Sequence, residues 1–125
     1  MRSARVELMN DYIKDLSEVE VLATEYWHET TLLPSDDSKR SIIAAKLRGK
    51  LHAARHFKAS ADKFLGSDMQ KFNDLDIRLF MAATGGEFET KKARQDFQRA
   101  DDVMSTCGEL RALIRLARRK AYWAR

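Results

Sequence analysis

Two histidines four residues apart, His52 and His56, are the residues in this chain whose type and spacing most readily suggest chemistry. On a helix, an i, i+4 pair puts both imidazoles on one face, the spacing that holds a metal ion in HExxH sequences. The intervening residues are Ala53, Ala54 and Arg55, so no glutamate base accompanies the pair. A third ligand has to come from elsewhere, such as His28 or an acid of the N-terminal segment, and Arg48 and Arg55 repel a cation. His52 and His56 stand as metal candidates, with ordinary surface histidines as the favoured reading.

Arg48, His52 and Arg55 also raise phosphate chemistry, since an Arg–His pair on one helix can polarise a phosphate and supply a general acid or base. Helical ribonuclease domains of the HEPN class use such a pair. Arg48 and His52 have three residues between them, Arg48 and His56 have seven, and the spacing of that class lies between the two. The basic end of the chain offers anion-binding candidates, Arg111, Arg115, Arg118, Arg119 and Lys120, with Tyr122 and Trp123 beside them. Such a cluster suits phosphates or an anionic membrane surface, although its charge also complements a helix C-terminus and an acidic neighbouring helix. Cys107 falls on a core position and reads as a small apolar side chain rather than a nucleophile. Gly85-Gly86 is no phosphate loop, because no strand precedes it and no Gly-Lys-Ser/Thr follows. No catalytic residue, cofactor-binding residue or cofactor is assigned.

These residues need elements to position them. One proline and five glycines in 125 residues leave few breaks, which favours long helices in a single domain, 1–125. The expected helices cover about 3–30, 38–65, 68–83 and 93–123. In the first, Val6, Met9, Ile13, Leu16, Ala23 and Trp27 keep 3–4 spacing, beside a row of Leu8, Tyr12, Val19, Leu22 and Tyr26. Leu32-Leu33-Pro34 ends it, with Ser35 or Asp36 as N-cap of the next. That second helix turns Ile43, Leu47, Leu51, Ala54, Phe57, Ala61 and Leu65 one way, and mid-helix Gly49 invites close approach of a neighbour. Gly66 is its C-cap, and Ser67-x-x-Gln70 reads as a capping box. The third helix offers Met69, Phe72, Leu75, Leu79, Phe80 and Ala83, with Ile77 and Met81 alongside, and Thr84-Gly85-Gly86 stops it. Phe88 is expected to tuck back onto the fold from an otherwise polar loop. The fourth helix places Phe97, Ala100, Met104, Cys107, Leu110, Ile114, Ala117 and Ala121 on its face, with Val103 and Leu113 alongside and Gly108 as a second close-packing point. Four amphipathic helices with short links predict an all-α, four-helix, mainly antiparallel bundle.

Composition narrows the function class. Hydrophobic residues at 44% and charged residues at 34% exclude a disordered chain. Residues 1–33 hold seven acids and three bases, 34–66 eight bases and three acids, and 111–125 six bases and no acid. Alternating blocks of sign suit helices that pair with one another better than a single nucleic-acid face. A lone cysteine forms no intrachain disulfide and points to a reducing, cytoplasmic compartment. The N-terminus lacks the apolar core of a signal peptide, and no window approaches the roughly 18 apolar residues of a membrane span.

Three fragments carry a resemblance: Glu25-Tyr26-Trp27 before an acidic proline-containing loop, Leu51-His52, and Ala82-Ala83-Thr84-Gly85-Gly86-Glu87-Phe88-Glu89-Thr90. Together they resemble a group of uncharacterised bacterial proteins in which a helical cytosolic domain follows an N-terminal membrane segment. The similarity covers most of residues 15–120, and its most specific piece is the Thr-Gly-Gly-x-Phe-Glu turn. It implies that the chain is the soluble part of a longer, membrane-tethered protein, and it carries over no catalytic residue. The reading that results is a non-enzymatic helical interaction domain that binds a protein partner or itself. The alternatives are nucleic-acid or anionic-surface binding through the basic second and fourth helices, and a His-dependent nuclease or metalloenzyme.

Overall fold

The apolar stripes are buried by antiparallel neighbours. A computed structural model describes residues 4–28, 34–85, 88 and 96–123, with the backbone alone for 34–37 and 121–123. Helix α1 spans Ala4–His28, α2 Pro34–Leu65, α3 Met69–Thr84 and α4 Phe97–Trp123, and a 3-10 turn, Gly66–Asp68, joins α2 to α3. The architecture is all-α, with no strand among the described residues. No helix among them is long and apolar enough to cross a membrane. The expected Leu32-Leu33 break, the segment 86–93 apart from Phe88, and the side chains of Ala121, Tyr122 and Trp123 lie outside the described residues.

Contacts along each helix pair fix its direction. Between α1 and α2, Tyr12 stacks on Phe57 at 4.4 Å, Lys50 meets Glu18 at 2.5 Å, and the Arg40 guanidinium lies 4.8 Å from the Tyr26 ring centre. Rising numbers on one helix meet falling numbers on the other, so the two run antiparallel. The same order joins α2 to α3 through Lys58–Asp76 and Arg55 over Phe80. It joins α3 to α4 through Arg78–Glu109 and Arg99–Met81. Between α1 and α4 the markers are Arg118–Asn10, Arg111–Glu20, and the Asp96 amide on the Trp27 carbonyl.

The α2 stripe is buried at every position expected of it, from Ile43 to Leu65. The α1 stripe is buried too, except that Leu8 is exposed and Ile13 and Leu22 are half-buried. Phe88 packs as expected, 4.7 Å from the Tyr26 ring and 6.2 Å from Trp27.

Several local expectations are corrected. Helix α2 begins at Pro34, which suits a first helical position where no amide donor is needed, so Ser35 and Asp36 lie inside its first turn instead of capping it. The Ser67–Gln70 capping box does not form, because Ser67 is in the 3-10 turn and Gln70 donates to Asp74 instead. Gly66 does end α2, at φ +52, the left-handed region that glycine enters without steric cost. Gly49 and Gly108 are not points of close helix approach, since a Cβ at either meets nothing within 4 Å. Phe80, Ile77 and Met81 on α3, and Phe97 and Met104 on α4, are exposed although their spacing placed them on or beside the core faces.

Candidate functional site

The imidazoles of His52 and His56 do share a face, as their spacing requires, with ring centres 5.1 Å apart and nearly perpendicular. Both are exposed on the outer side of α2. No group of three or more His, Cys, Asp or Glu among the described residues is arranged to hold a metal ion. His28, the third ligand considered, is instead against Phe97, with ring centres 5.2 Å apart. Arg55 is drawn over the Phe80 ring at 4.4 Å, an apolar and cation–π contact rather than a phosphate grip.

The basic end of α4 divides into two sets. Arg111 donates to Glu20 at 2.8 Å, Arg118 to Asn10 at 2.7 Å, and Lys120 reaches Asp68 at 3.8 Å. Those three cations hold α4 against α1 and the start of α3. Arg115 and Arg119 are exposed, four residues apart, with no ion-pair partner among the described residues. The positive block is thus largely a structural clamp, with two outward guanidiniums left over.

Cys107 is fully buried, with its thiol 3.8 Å from the Leu16 carbonyl. Burial, and after it the Glu20 carboxylate, pushes the thiol from 9.0 to about 12 against the opposing pull of Arg111. A protonated, sequestered thiol is no nucleophile. Ellman's reagent at about pH 8 is expected to label Cys107 only as fast as the native fold opens, and to label it at once in denaturant. Stoichiometric labelling of folded protein within seconds would contradict this burial.

Three buried polar residues are not marked out by the sequence: Arg40, Asp76 and Thr106. Each occupies a stripe position, Arg40 three residues before Ile43, Asp76 four after Phe72, and Thr106 three after Val103. Their register was the available signal, and their polarity masked it. Asp76 sits at the α2–α3 seam with Lys58 Nζ at 3.5 Å, and near it the Tyr12 hydroxyl is buried without a hydrogen-bond partner among the described residues. Burial first and the Asp76 charge second hold the Tyr12 phenol well above its usual 10.0, so it stays neutral.

A second polar cluster closes the other end. Arg99 donates to the Met81 and Ala82 carbonyls at 2.8 and 3.3 Å, and the Trp27 indole N–H donates to the Ala83 carbonyl at 2.9 Å. Three of the last four carbonyls of α3, those of Met81, Ala82 and Ala83, thereby accept from side chains of α1 and α4. Gly85 is required beside them, because a Cβ there sits 2.5 Å from Met81 O and 3.0 Å from Arg99 Nη1. The arrangement is structural: donors are spent on helix ends, and none converges on open space.

No known protein family matches the chain, nor does any curated protein or solved structure.

Proposed function

We propose that the chain is a non-enzymatic helical interaction domain, built as a four-helix, mainly antiparallel bundle that docks another protein surface. The observation that supports it is a second apolar set on α4. Phe97 and Met104, 57% and 39% exposed, stand outside the core with the open Gly108 after them. Leaving large apolar side chains in water on a helix whose opposite face is fully packed suits a surface meant to be covered. The candidate chemical groups point the same way: Cys107 is sequestered, three of the five terminal cations hold the fold together, and His52 and His56 have no third ligand among the described residues. The single buried cysteine fits a reducing, cytoplasmic setting. The membrane-tethered bacterial proteins that the sequence resembles remain part of this reading as its proposed context.

A photocrosslinking residue placed at exposed Ser105, between Met104 and Gly108, tests it in the native host. Discrete crosslinked products are expected there and not from the same group at exposed Lys46 on α2. Absence of product at Ser105 overturns the interaction reading.

A further inference from the structure

The outer side of α4 carries an ordered series, Phe97, Asp101, Met104, Gly108, Arg115 and Arg119. Steps of three, four and seven residues keep all six on one side of a helix. All are exposed except Gly108, which is half-exposed and has nothing within 4 Å of its Cβ position. Arg111 and Arg118, next to this series, are turned to α1 by Glu20 and Asn10 and leave it clear.

The series is self-complementary about Gly108. Asp101 lies seven residues before it and Arg115 seven after; Phe97 lies eleven before and Arg119 eleven after. At 1.5 Å per residue, each charge stands roughly 10 Å along the axis from the glycine, in opposite directions. A helix with this pattern matches its own reverse.

We propose that this face binds the same face of a second copy, with the two α4 helices antiparallel about a two-fold axis at Gly108. The proposal rests on the interaction reading above and names its partner. Asp101 of each copy pairs with Arg115 of the other. The Arg119 guanidinium of each copy covers the exposed Phe97 ring of the other, a cation–π contact. Met104 meets exposed Ala112, and the missing side chains at Gly108 let the two backbones cross closely. An isologous contact of this kind uses every interaction twice and closes at two subunits. Charge complementarity favours a second copy over an unrelated partner, because the acidic and basic halves of the face are equidistant from its centre. The ion pairs lie at the surface, so the dimer weakens as salt rises.

Sedimentation equilibrium on the full chain tests the register. The wild type is expected to dimerise at low salt, below a concentration on the order of 1 mM. Asp101→Arg or Arg115→Glu alone puts like charges opposite twice, and raises the dissociation constant roughly tenfold or more. The double variant, Asp101→Arg with Arg115→Glu, restores dimerisation, and so does mixing the two single variants, which then pair as a heterodimer. Both positions are exposed, so far-UV circular dichroism is expected to be unchanged. A wild type that stays monomeric overturns the proposal, as do single variants that dimerise as well as the wild type, or a double variant and a mixture that are not restored. If the chain is monomeric but the Ser105 crosslinker still captures a different protein, the broader reading survives; if the crosslinker is also silent, both fail.

Discussion

Trp27→Ala is expected to lower the free energy of unfolding by about 4 kcal/mol, the largest effect of any single substitution in α1. The indole is 2% exposed and meets Tyr26 edge-on with ring centres 4.9 Å apart. Phe88 lies on it, and the Arg99 guanidinium stands 5.2 Å from its centre. Truncation leaves a cavity where α1, α3 and α4 meet and also strips the Ala83 carbonyl of its donor. A domain of this size commonly has about 5–15 kcal/mol in hand, so the variant sits near the edge of folding. Trp27→Phe separates the two contributions: it keeps most of the ring volume, loses the hydrogen bond, and is expected to cost about 1–2 kcal/mol. Urea unfolding followed by circular dichroism reads both. Should Trp27→Ala unfold within about 1 kcal/mol of the wild type, the indole is not the anchor that its contacts describe.

That anchor was half legible. Tyr26-Trp27 reads from sequence as an aromatic anchor at one end of the core, because both continue the α1 stripe. The indole's partner was not legible: Ala83 is 56 positions away, and pairing a side-chain donor with one carbonyl needs the α1–α3 geometry. Arg99 hides for the same reason. By type it is a surface cation, and only the end of α3 beside it turns it into a cap for two carbonyls.

The stripes themselves are legible where helix and core coincide and less so at their margins. In α2, Ile43 through Leu65 follow one line, and the helix is flanked on both sides, so every position is covered. In α4 the same 3–4 rhythm includes Phe97 and Met104, but these fall on the outer side of the helix, beyond the part that its neighbours cover. Periodicity gives direction about the helix axis to within a residue's angular width and does not say how far a neighbouring helix wraps. For this reason the spacing puts Phe80 on the α3 core face although it is exposed, while polar Asp76, one turn earlier, is the residue that is buried. The histidine pair shows the converse limit. Its spacing foretold the shared face, yet what surrounds that face is a three-dimensional matter, and no third ligand is there among the described residues.

Phe72→Ala is expected to destabilise the fold strongly and Tyr12→Phe not at all, although the two rings touch. Phe72 is fully buried, with its centre 5.8 Å from both Tyr12 and Phe57, so it joins α3 to α1 and α2 at once. Its removal opens a cavity bounded by three helices and is expected to cost about 3–5 kcal/mol. Tyr12→Phe leaves the ring stacked on Phe57 and removes only a hydroxyl that is buried without a hydrogen-bond partner among the described residues. Releasing an unpaired polar group from desolvation makes this substitution neutral or stabilising by about 1 kcal/mol at neutral pH. The gain grows with alkalinity. The folded state holds the Tyr12 proton well above 10.0, while the unfolded chain releases it near that value. Above it the unfolded state binds fewer protons, so wild-type stability falls as pH rises, and the phenylalanine variant lacks that part of the fall. Urea midpoints measured from about pH 8 to pH 11 are expected to diverge in favour of Tyr12→Phe. A variant less stable than the wild type at every pH shows instead that the hydroxyl has a partner that matters, and the α2–α3 seam around Asp76, beside Tyr12, is then its place.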